Sequence, residues 1–268
     1  MPLRESADFT LYRGRKHDDT SPVLAIALST EKPSPHGIRR LEHEYSLAAE
    51  LDPAWAAKPL AITRQEEKTI LVLKDPGGEP LDRILERTHG QPLDLTRFLR
   101  TAIGLAKTLG QVHQHGLIHK DIKPANVLVD DTGNAWLTGF GIASQLPRER
   151  QSPEPPGLIA GTLAYMAPEQ TGRMNRSIDS RSDLYSLGIT FYEMLTGSLP
   201  FTPSDPMECV HCHIARQPAA PSERLGTVPA SVSAITMKLL SKTVEERYQT
   251  AAGVESDLRR CLSQWESQ

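Results

Sequence analysis

The chain has 268 residues, of which 38% are hydrophobic and 24% charged, and its formal net charge at pH 7 is -3. These values are typical of a folded globular domain and exclude a largely disordered chain. The slightly acidic balance argues against a protein that works mainly by binding nucleic acid through a basic face.

The sequence shows no targeting or membrane signal. Residues 1–20 carry charges throughout and lack the apolar core of a signal peptide, and the longest apolar run, residues 23–28, is too short to cross a bilayer. Three cysteines, an odd number, do not suggest a disulfide framework. We therefore expect a cytoplasmic protein with no membrane or nucleic-acid partner.

The first third of the chain predicts a small β-rich lobe. Residues 9–14 and 23–28 are predicted to form paired strands, and the apolar spacing over residues 38–51 predicts a helix. Two further strands are predicted at residues 60–63 and 69–74. The turn residues Asp-Pro-Gly-Gly at 75–78 then end the β pattern and predict a hinge.

The remainder predicts a larger helical lobe. A long amphipathic helix is expected from Leu95 to Val112, ended by His115-Gly116, and a second apolar helix at residues 183–196. Further helices are predicted at residues 206–215, 231–240 and 251–266. The fold class is therefore α+β and bilobal, in one domain over residues 1–268, with the small lobe at about 1–76 and the large lobe at about 79–268.

Three motifs in the large lobe indicate what chemistry the protein could perform. Residues 119–128 read HKDIKPANVL, residues 161–169 read GTLAYMAPE, and residues 182–188 read SDLYSLG. The first resembles the catalytic loop H-R-D-x-K-x-x-N of protein kinases, and the second resembles the end of their activation segment. The chain therefore resembles the protein kinase family, and the lysine two places after the aspartate indicates the serine/threonine class.

The resemblance implies a role for each of these residues. Asp121 would accept or orient the proton of the substrate hydroxyl, and Lys123 would neutralise charge on the transferred phosphoryl group. Asn126 would bind a magnesium ion and so help to hold the cofactor, and Thr162 is counted with the catalytic residues. An active enzyme of this kind would use ATP and Mg²⁺ and act on a protein substrate.

Two further roles implied by the resemblance concern the scaffold. Glu169 should form a buried ion pair with Arg247, and Asp183 should hold the backbone of the catalytic loop. The alternative for the loop itself, that its polar residues only satisfy local hydrogen bonds, is disfavoured by the spacing of the three motifs.

Several phosphate-handling positions depart from the family pattern. Gly139-Phe140-Gly141 stands in the place of D-F-G, which removes the main magnesium carboxylate from this cofactor-binding position. Residues 9–18 offer only Gly14 for a glycine-rich loop, and residues 22–28 read PVLAIAL without the lysine of V-A-I-K. Lys16 and Lys32 are the nearest substitutes. Glu44 takes the cofactor-binding place of the helix glutamate, or is simply a solvated surface charge.

A narrower resemblance comes from the run QTGRMNR at residues 170–176, together with TGFG at 138–141. It is similar to the N-terminal kinase-like domain of large bacterial hybrid sensor proteins, in which an ATPase module, a GAF sensor and a histidine kinase follow. The resemblance implies signal transduction with a protein substrate or regulatory partner, including a fused or associated sensor histidine kinase of a two-component system.

Three functions stay open from the sequence. The complete catalytic loop supports an active serine/threonine kinase, whereas Gly139 and the missing lysine support a regulatory pseudokinase with weak, metal-independent or no nucleotide binding. A small-molecule phosphotransferase is disfavoured because the segment 161–169 resembles the peptide-substrate lobe of protein kinases. We favour the pseudokinase.

Overall fold

The computed structural model describes residues 1–6, 9–16, 20–28, 34–65, 68–145 and 163–267. Within them the chain forms a β-sheet lobe followed by a mostly helical lobe, as the sequence predicts. None of the helices in these ranges is long and apolar enough to span a membrane.

The small lobe is built on a five-stranded antiparallel sheet with the strand order β1-β2-β3-β5-β4. Strands β2 and β3 pair over their whole length, which confirms the predicted hairpin. Strand β1 was not predicted, because its four residues, PLRE, contain one large apolar side chain and no alternation. The strands are β1 (Pro2–Glu5), β2 (Phe9–Arg15), β3 (Pro22–Leu28), β4 (Pro59–Gln65) and β5 (Lys68–Lys74).

Helix α1 (Pro35–Ser46) packs on this sheet and begins and ends earlier than predicted. The hydroxyl of Ser34 accepts a hydrogen bond from the Gly37 amide at 3.1 Å and so caps the first turn. Beyond the helix, hydrogen-bonded turns keep Leu47 and Leu51 buried. The predicted end was wrong because these apolar residues keep a helical spacing in a segment that has left the helix.

The hinge is a tight turn. Gly77 and Gly78 have φ angles of 92° and 72°, which favour glycine, and an Asp75 carboxylate oxygen accepts a hydrogen bond from the Gly77 amide at 2.9 Å. A short helix, α2 (Leu81–Arg87), and a second, three-stranded sheet follow. The strands of that sheet are β6 (Glu79–Pro80), β7 (Val127–Val129) and β8 (Ala135–Leu137).

The large lobe is a helical assembly around α3 (Leu95–Gln114) and α4 (Ser180–Thr196), both close to their predicted bounds. The rings of Phe98 and Phe191 meet edge to face between them, with centroids 5.6 Å apart. Gly197, with a φ angle of 71°, ends α4 in the left-handed conformation. The remaining helices are α5 (Pro206–Ala215), α6 (Pro221–Arg224), α7 (Ala230–Leu239) and α8 (Ala251–Glu266).

Candidate active site

The segment that resembles the kinase catalytic loop lies between α3 and β7 and is held by α4. The carboxylate of Asp183, a fully buried residue, accepts hydrogen bonds from the backbone amides of His119 at 2.9 Å and Lys120 at 2.7 Å. Lys120 adopts a φ angle of 65°, which is uncommon for a residue other than glycine. The predicted role of Asp183 as the residue that holds the loop backbone is confirmed.

Asp121 is the centre of a hydrogen-bonded group within this loop. Its carboxylate accepts bonds from Lys123 Nζ at 2.8 and 2.9 Å and from Asn126 Nδ2 at 3.0 Å. Burial alone would raise the pKa of Asp121, but the charges of Lys123 and Arg40 outweigh it and hold that pKa below its usual value. The fold therefore brings the three predicted residues together around an ionised carboxylate.

Gly139 lies directly against Asn126. A Cβ atom at this position would stand 2.7 Å from Asn126 Cγ and 2.8 Å from both side-chain amide atoms, and the φ angle of Gly139 is 78°. The Asn126 amide is anchored by its bonds to Asp121, so it cannot move aside without breaking them. The position that carries the metal carboxylate in D-F-G thus lacks a carboxylate, and a side chain placed there would have to displace the Asn126 amide.

Glu44 faces Gly139 from α1. Its side chain is buried, and its Oε1 accepts a hydrogen bond from the Gly139 amide at 3.1 Å. Burial raises the pKa of Glu44 to about 7, although the amides of Gly139 and Phe140 oppose the rise. The interpretation as a solvated surface charge is therefore wrong, and within the described ranges no lysine pairs with this carboxyl group.

Other contacts also fix α1 on the loop that contains Asp121. Arg40 Nη2 donates a hydrogen bond to Asp121 Oδ2 at 3.1 Å, and His43 Nε2 lies 2.7 Å from the carbonyl oxygen of Ala143. A Cβ atom on Gly141 would lie 2.9 Å from both Cβ and the carbonyl oxygen of Arg40, so the two segments touch backbone to backbone. The helix is therefore in direct contact with the residues that follow β8.

Arg40 is the site residue that sequence reasoning missed. Its side chain is 21% exposed, and it adds a second cation to a carboxylate that Lys123 already neutralises. One signal was available in the sequence, because Arg40 and Glu44 are four residues apart on a predicted helix and so share a face.

Among its described residues the small lobe supplies no group that is placed to bind phosphate as a kinase does. The connections before β3, residues 6–8 and 16–21, contain no glycine, and Gly14 lies inside β2 rather than in a loop. The sequence analysis expected the glycine-rich loop within residues 9–18. Because β1 precedes β2, the first connection between strands comes earlier in the chain, at residues 6–8. Aligning LAIA at 24–27 with V-A-I-K puts the buried Ala27 at the lysine position. Lys16 is exposed at the end of β2, and Lys32 lies outside the described residues.

The scaffold pair expected from the resemblance is present. Arg247 donates to the two carboxylate oxygens of Glu169 at 2.7 and 3.0 Å, and both side chains are almost completely buried. Ser182 also donates to this carboxylate, at 2.7 Å. The predicted pairing is confirmed, while Thr162 lies outside the described residues and its role stays a prediction.

The residues around Asn126 do not fit a magnesium ion in this arrangement. Magnesium requires oxygen ligands, usually including carboxylates, yet no group of three His, Cys, Asp or Glu residues in the described ranges is placed to hold a metal. Two cations, Arg40 and Lys123, already contact the carboxylate of Asp121 and would compete with a dication for it. Metal binding by Asn126 stays a prediction.

The fold and the loop geometry define a protein-kinase-type domain. A family model described as the protein kinase domain matches residues 10–258, and the chain belongs to that family. Its relatives place it among serine/threonine kinases: it is 37% identical over 178 residues to the serine/threonine-protein kinase PknB of Mycobacterium tuberculosis. That match covers 66% of this chain and 28% of the relative.

A second relative matches over more of the chain. The probable serine/threonine-protein kinase CPE1738 of Clostridium perfringens is 31% identical over 223 residues, which is 83% of this chain and 32% of the relative. The matches therefore span about a third or less of the lengths of these relatives.

Proposed function

We propose that this domain is a kinase-like signalling module that does not carry out magnesium-dependent phosphoryl transfer, which makes it a pseudokinase. The observation that carries the proposal is Gly139. Catalysis by kinases is positioning plus charge neutralisation by magnesium, and the principal magnesium carboxylate is replaced here by a glycine that lies directly against the Asn126 amide.

Two further observations support it. Ala27 stands where the strand lysine would contact the phosphates, and Arg40 occupies a bonding position on Asp121. The metal alone supplies several kcal/mol of transition-state stabilisation in enzymes that use one, and each loss of about 1.4 kcal/mol lowers the rate tenfold. Loss of both the metal and the lysine contacts would therefore lower the rate by several orders of magnitude.

The space between the lobes also supports a weak or absent site for a nucleotide base. Leu128 of the large lobe belongs to the same buried apolar cluster as Leu11 and Leu73 of the small lobe. At the hinge, Arg13 donates to the carbonyl oxygen of Gly78 at 2.8 Å and pairs with Asp75 at 2.6 Å. Protein side chains therefore already occupy the apolar surface and the hinge carbonyl group that a nucleotide base would have to contact.

The second candidate is an active serine/threonine kinase that uses ATP and Mg²⁺ and feeds a two-component pathway. The intact hydrogen-bonded group of Asp121, Lys123 and Asn126 favours it, because these side chains are arranged around an ionised carboxylate that could accept a proton. It requires a different magnesium ligand from the one that Gly139 replaces.

The biological setting we propose is regulatory. The domain would act in the cytoplasm of a bacterium through a protein partner, including a fused or associated sensor histidine kinase. The short share of the relatives that the matches span is compatible with a domain that works inside a larger protein.

Phosphoryl transfer tests the proposal. The purified domain, incubated with γ-labelled ATP and MgCl₂ or MnCl₂ and a general protein substrate, should transfer no more label than the Asp121→Asn variant. Transfer by the wild type that the Asp121→Asn variant loses would establish the active-kinase alternative.

A further inference from the structure

Strand β1 ties the small lobe to the large lobe. It lies at one edge of the five-stranded sheet, where β2 pairs with it over three residue pairs, with an irregularity between Pro2 and Arg4. On its other side the carbonyl oxygen of Leu3 accepts a hydrogen bond from Arg83 Nε of α2 at 2.9 Å. The edge of the small-lobe sheet is therefore bonded to a helix of the large lobe.

Arg4 makes the main contacts of β1 with the large lobe. Its Nε pairs with Asp82 Oδ2 of α2 at 2.7 Å, and its Nη1 donates to the carbonyl oxygen of Ala125 at 3.3 Å. The side chains of Arg4 and Asp82 are mostly buried, with 26% and 20% exposed. One side chain of the small lobe thus reaches both α2 and the loop that contains Asp121.

The surface that Arg4 meets on the large lobe carries several carboxyl groups. Burial raises the pKa of Asp82, and the charge of Arg4 is the largest influence that opposes the rise. Glu86 adds to the rise, although Arg83 pairs with Glu86 at 2.9 Å. On α4, the pKa of Glu193 is raised by burial and, less strongly, by Asp82. Release of Arg4 would leave Asp82 without its main partner, so the closed position of β1 is favoured.

The small lobe is held more firmly at α1 than at β1. At α1 the backbone itself takes part, because a Cβ atom on Gly141 would lie 2.9 Å from the carbonyl oxygen of Arg40. At β1, the hydrogen bonds and ion pairs to the large lobe within the described ranges all come from arginine side chains, Arg4 or Arg83. Segments with few buried contacts open locally at a lower free energy than packed ones. We therefore expect β1 to be the side that opens.

We propose that β1 is a strap that closes the α2 side of the space between the lobes, and that Arg4 is the residue that holds it closed. While the strap is closed, Arg4 covers the loop that contains Asp121 and Asn126 from that side. A ligand or a protein partner reaches the loop there only after β1 is released. This inference goes beyond the proposed function, because it holds whether or not the domain transfers phosphate.

Alkylation of an introduced cysteine tests the strap. Ala125→Cys places a thiol on the residue whose carbonyl group Arg4 contacts. The three natural cysteines are buried, so their labelling reports global unfolding. Addition of Arg4→Met should raise the rate of reaction with iodoacetamide at position 125 at least about tenfold, while the natural cysteines stay unlabelled. The reason is that loss of a hydrogen-bonded charge pair shifts the opening equilibrium by about that factor.

Two further variants, each also in the Ala125→Cys background, complete the experiment. Arg87→Met removes an exposed ion pair with Glu79 on the same helix, and it is the matched control that should leave the rate unchanged. Arg83→Met removes the bond to the Leu3 carbonyl and should raise the rate by a smaller factor; it provides the comparison if Arg4→Met does not fold.

The result that overturns the strap is the absence of a selective rise at position 125 in both Arg4→Met and Arg83→Met, or a rise that Arg87→Met shares. Either result leaves the proposed function unaffected, because its test measures phosphoryl transfer and not access to the loop.

Discussion

Replacing Glu44 by glutamine tests how α1 is held against Gly139 and the candidate site. The Glu44 carboxyl is buried and has no lysine partner in the described part of the chain, so its ionised form is destabilised by burial. Its pKa in the folded protein is about 7, against 4.5 for the exposed group. Because the folded state holds this proton more tightly than the unfolded state, stability falls as the pH rises from about 4.5 to 7.

The size of the effect follows from the shift. A rise from 4.5 to about 7 is about 2.5 pH units, and at about 1.4 kcal/mol per unit the wild type loses about 3 to 4 kcal/mol over the whole range. Between about pH 5 and pH 8 the loss is about 2 to 3 kcal/mol, since a small part occurs below pH 5. Glutamine keeps an oxygen for the Gly139 amide but does not titrate.

Urea unfolding of the wild type and Glu44→Gln at these two pH values is the assay. The variant should gain about 2 to 3 kcal/mol relative to the wild type between pH 5 and pH 8. Glu42→Gln on the same helix is the matched control, because Glu42 is 51% exposed and should show almost no such change. An equal difference between wild type and Glu44→Gln at both pH values, or a change of the opposite sign, would refute the reasoning.

Two other substitutions test the site and the scaffold. Gly139→Asp should fail to create magnesium-dependent ATP binding and should lower the free energy of unfolding by about 1 to 3 kcal/mol, because its Cβ would meet the Asn126 amide. Calorimetric titration with ATP and MgCl₂ measures the binding, and urea unfolding measures the stability. A gain of magnesium-dependent binding without a loss of stability would contradict this reasoning. Arg247→Met should cost about 3 to 5 kcal/mol by leaving Glu169 buried and unpaired. Arg259→Met, which removes an exposed ion pair, should cost under about 1 kcal/mol, and similar costs in urea unfolding for both arginines would contradict the assignment of a buried pair.

Elements with a strong apolar period were predictable, and those without one were not. Helices α3, α4, α5 and α8 follow their predicted bounds closely, because their buried faces recur at helical spacing. Strand β1 and the two-residue strand β6 are too short and too polar to produce such a period, and they form because neighbouring strands supply their hydrogen bonds. The end of α1 was misplaced because Leu47 and Leu51 are buried although they lie in turns beyond the helix.

In the candidate site, too, some contacts could be predicted from the sequence and others could not. Asp121, Lys123 and Asn126 lie within six residues of one another, so a local motif predicts their proximity. The contacts of Arg40 with Asp121 and of Glu44 with Gly139 join residues 81 and 95 positions apart, and no local pattern encodes them. The restricted space at Gly139 likewise depends on where Asn126 lies in three dimensions.

The most direct test of the central claim is whether the candidate site around Asp121 and Asn126 holds a divalent ion. Electron paramagnetic resonance of Mn²⁺ titrated with the domain, in the presence and absence of ATP, measures this without any assumption about substrate. We expect the domain to leave the spectra of free Mn²⁺ and of the Mn²⁺–ATP complex unchanged. Protein-dependent binding of Mn²⁺ that the Asn126→Ala variant abolishes would contradict it and would identify a working kinase metal site.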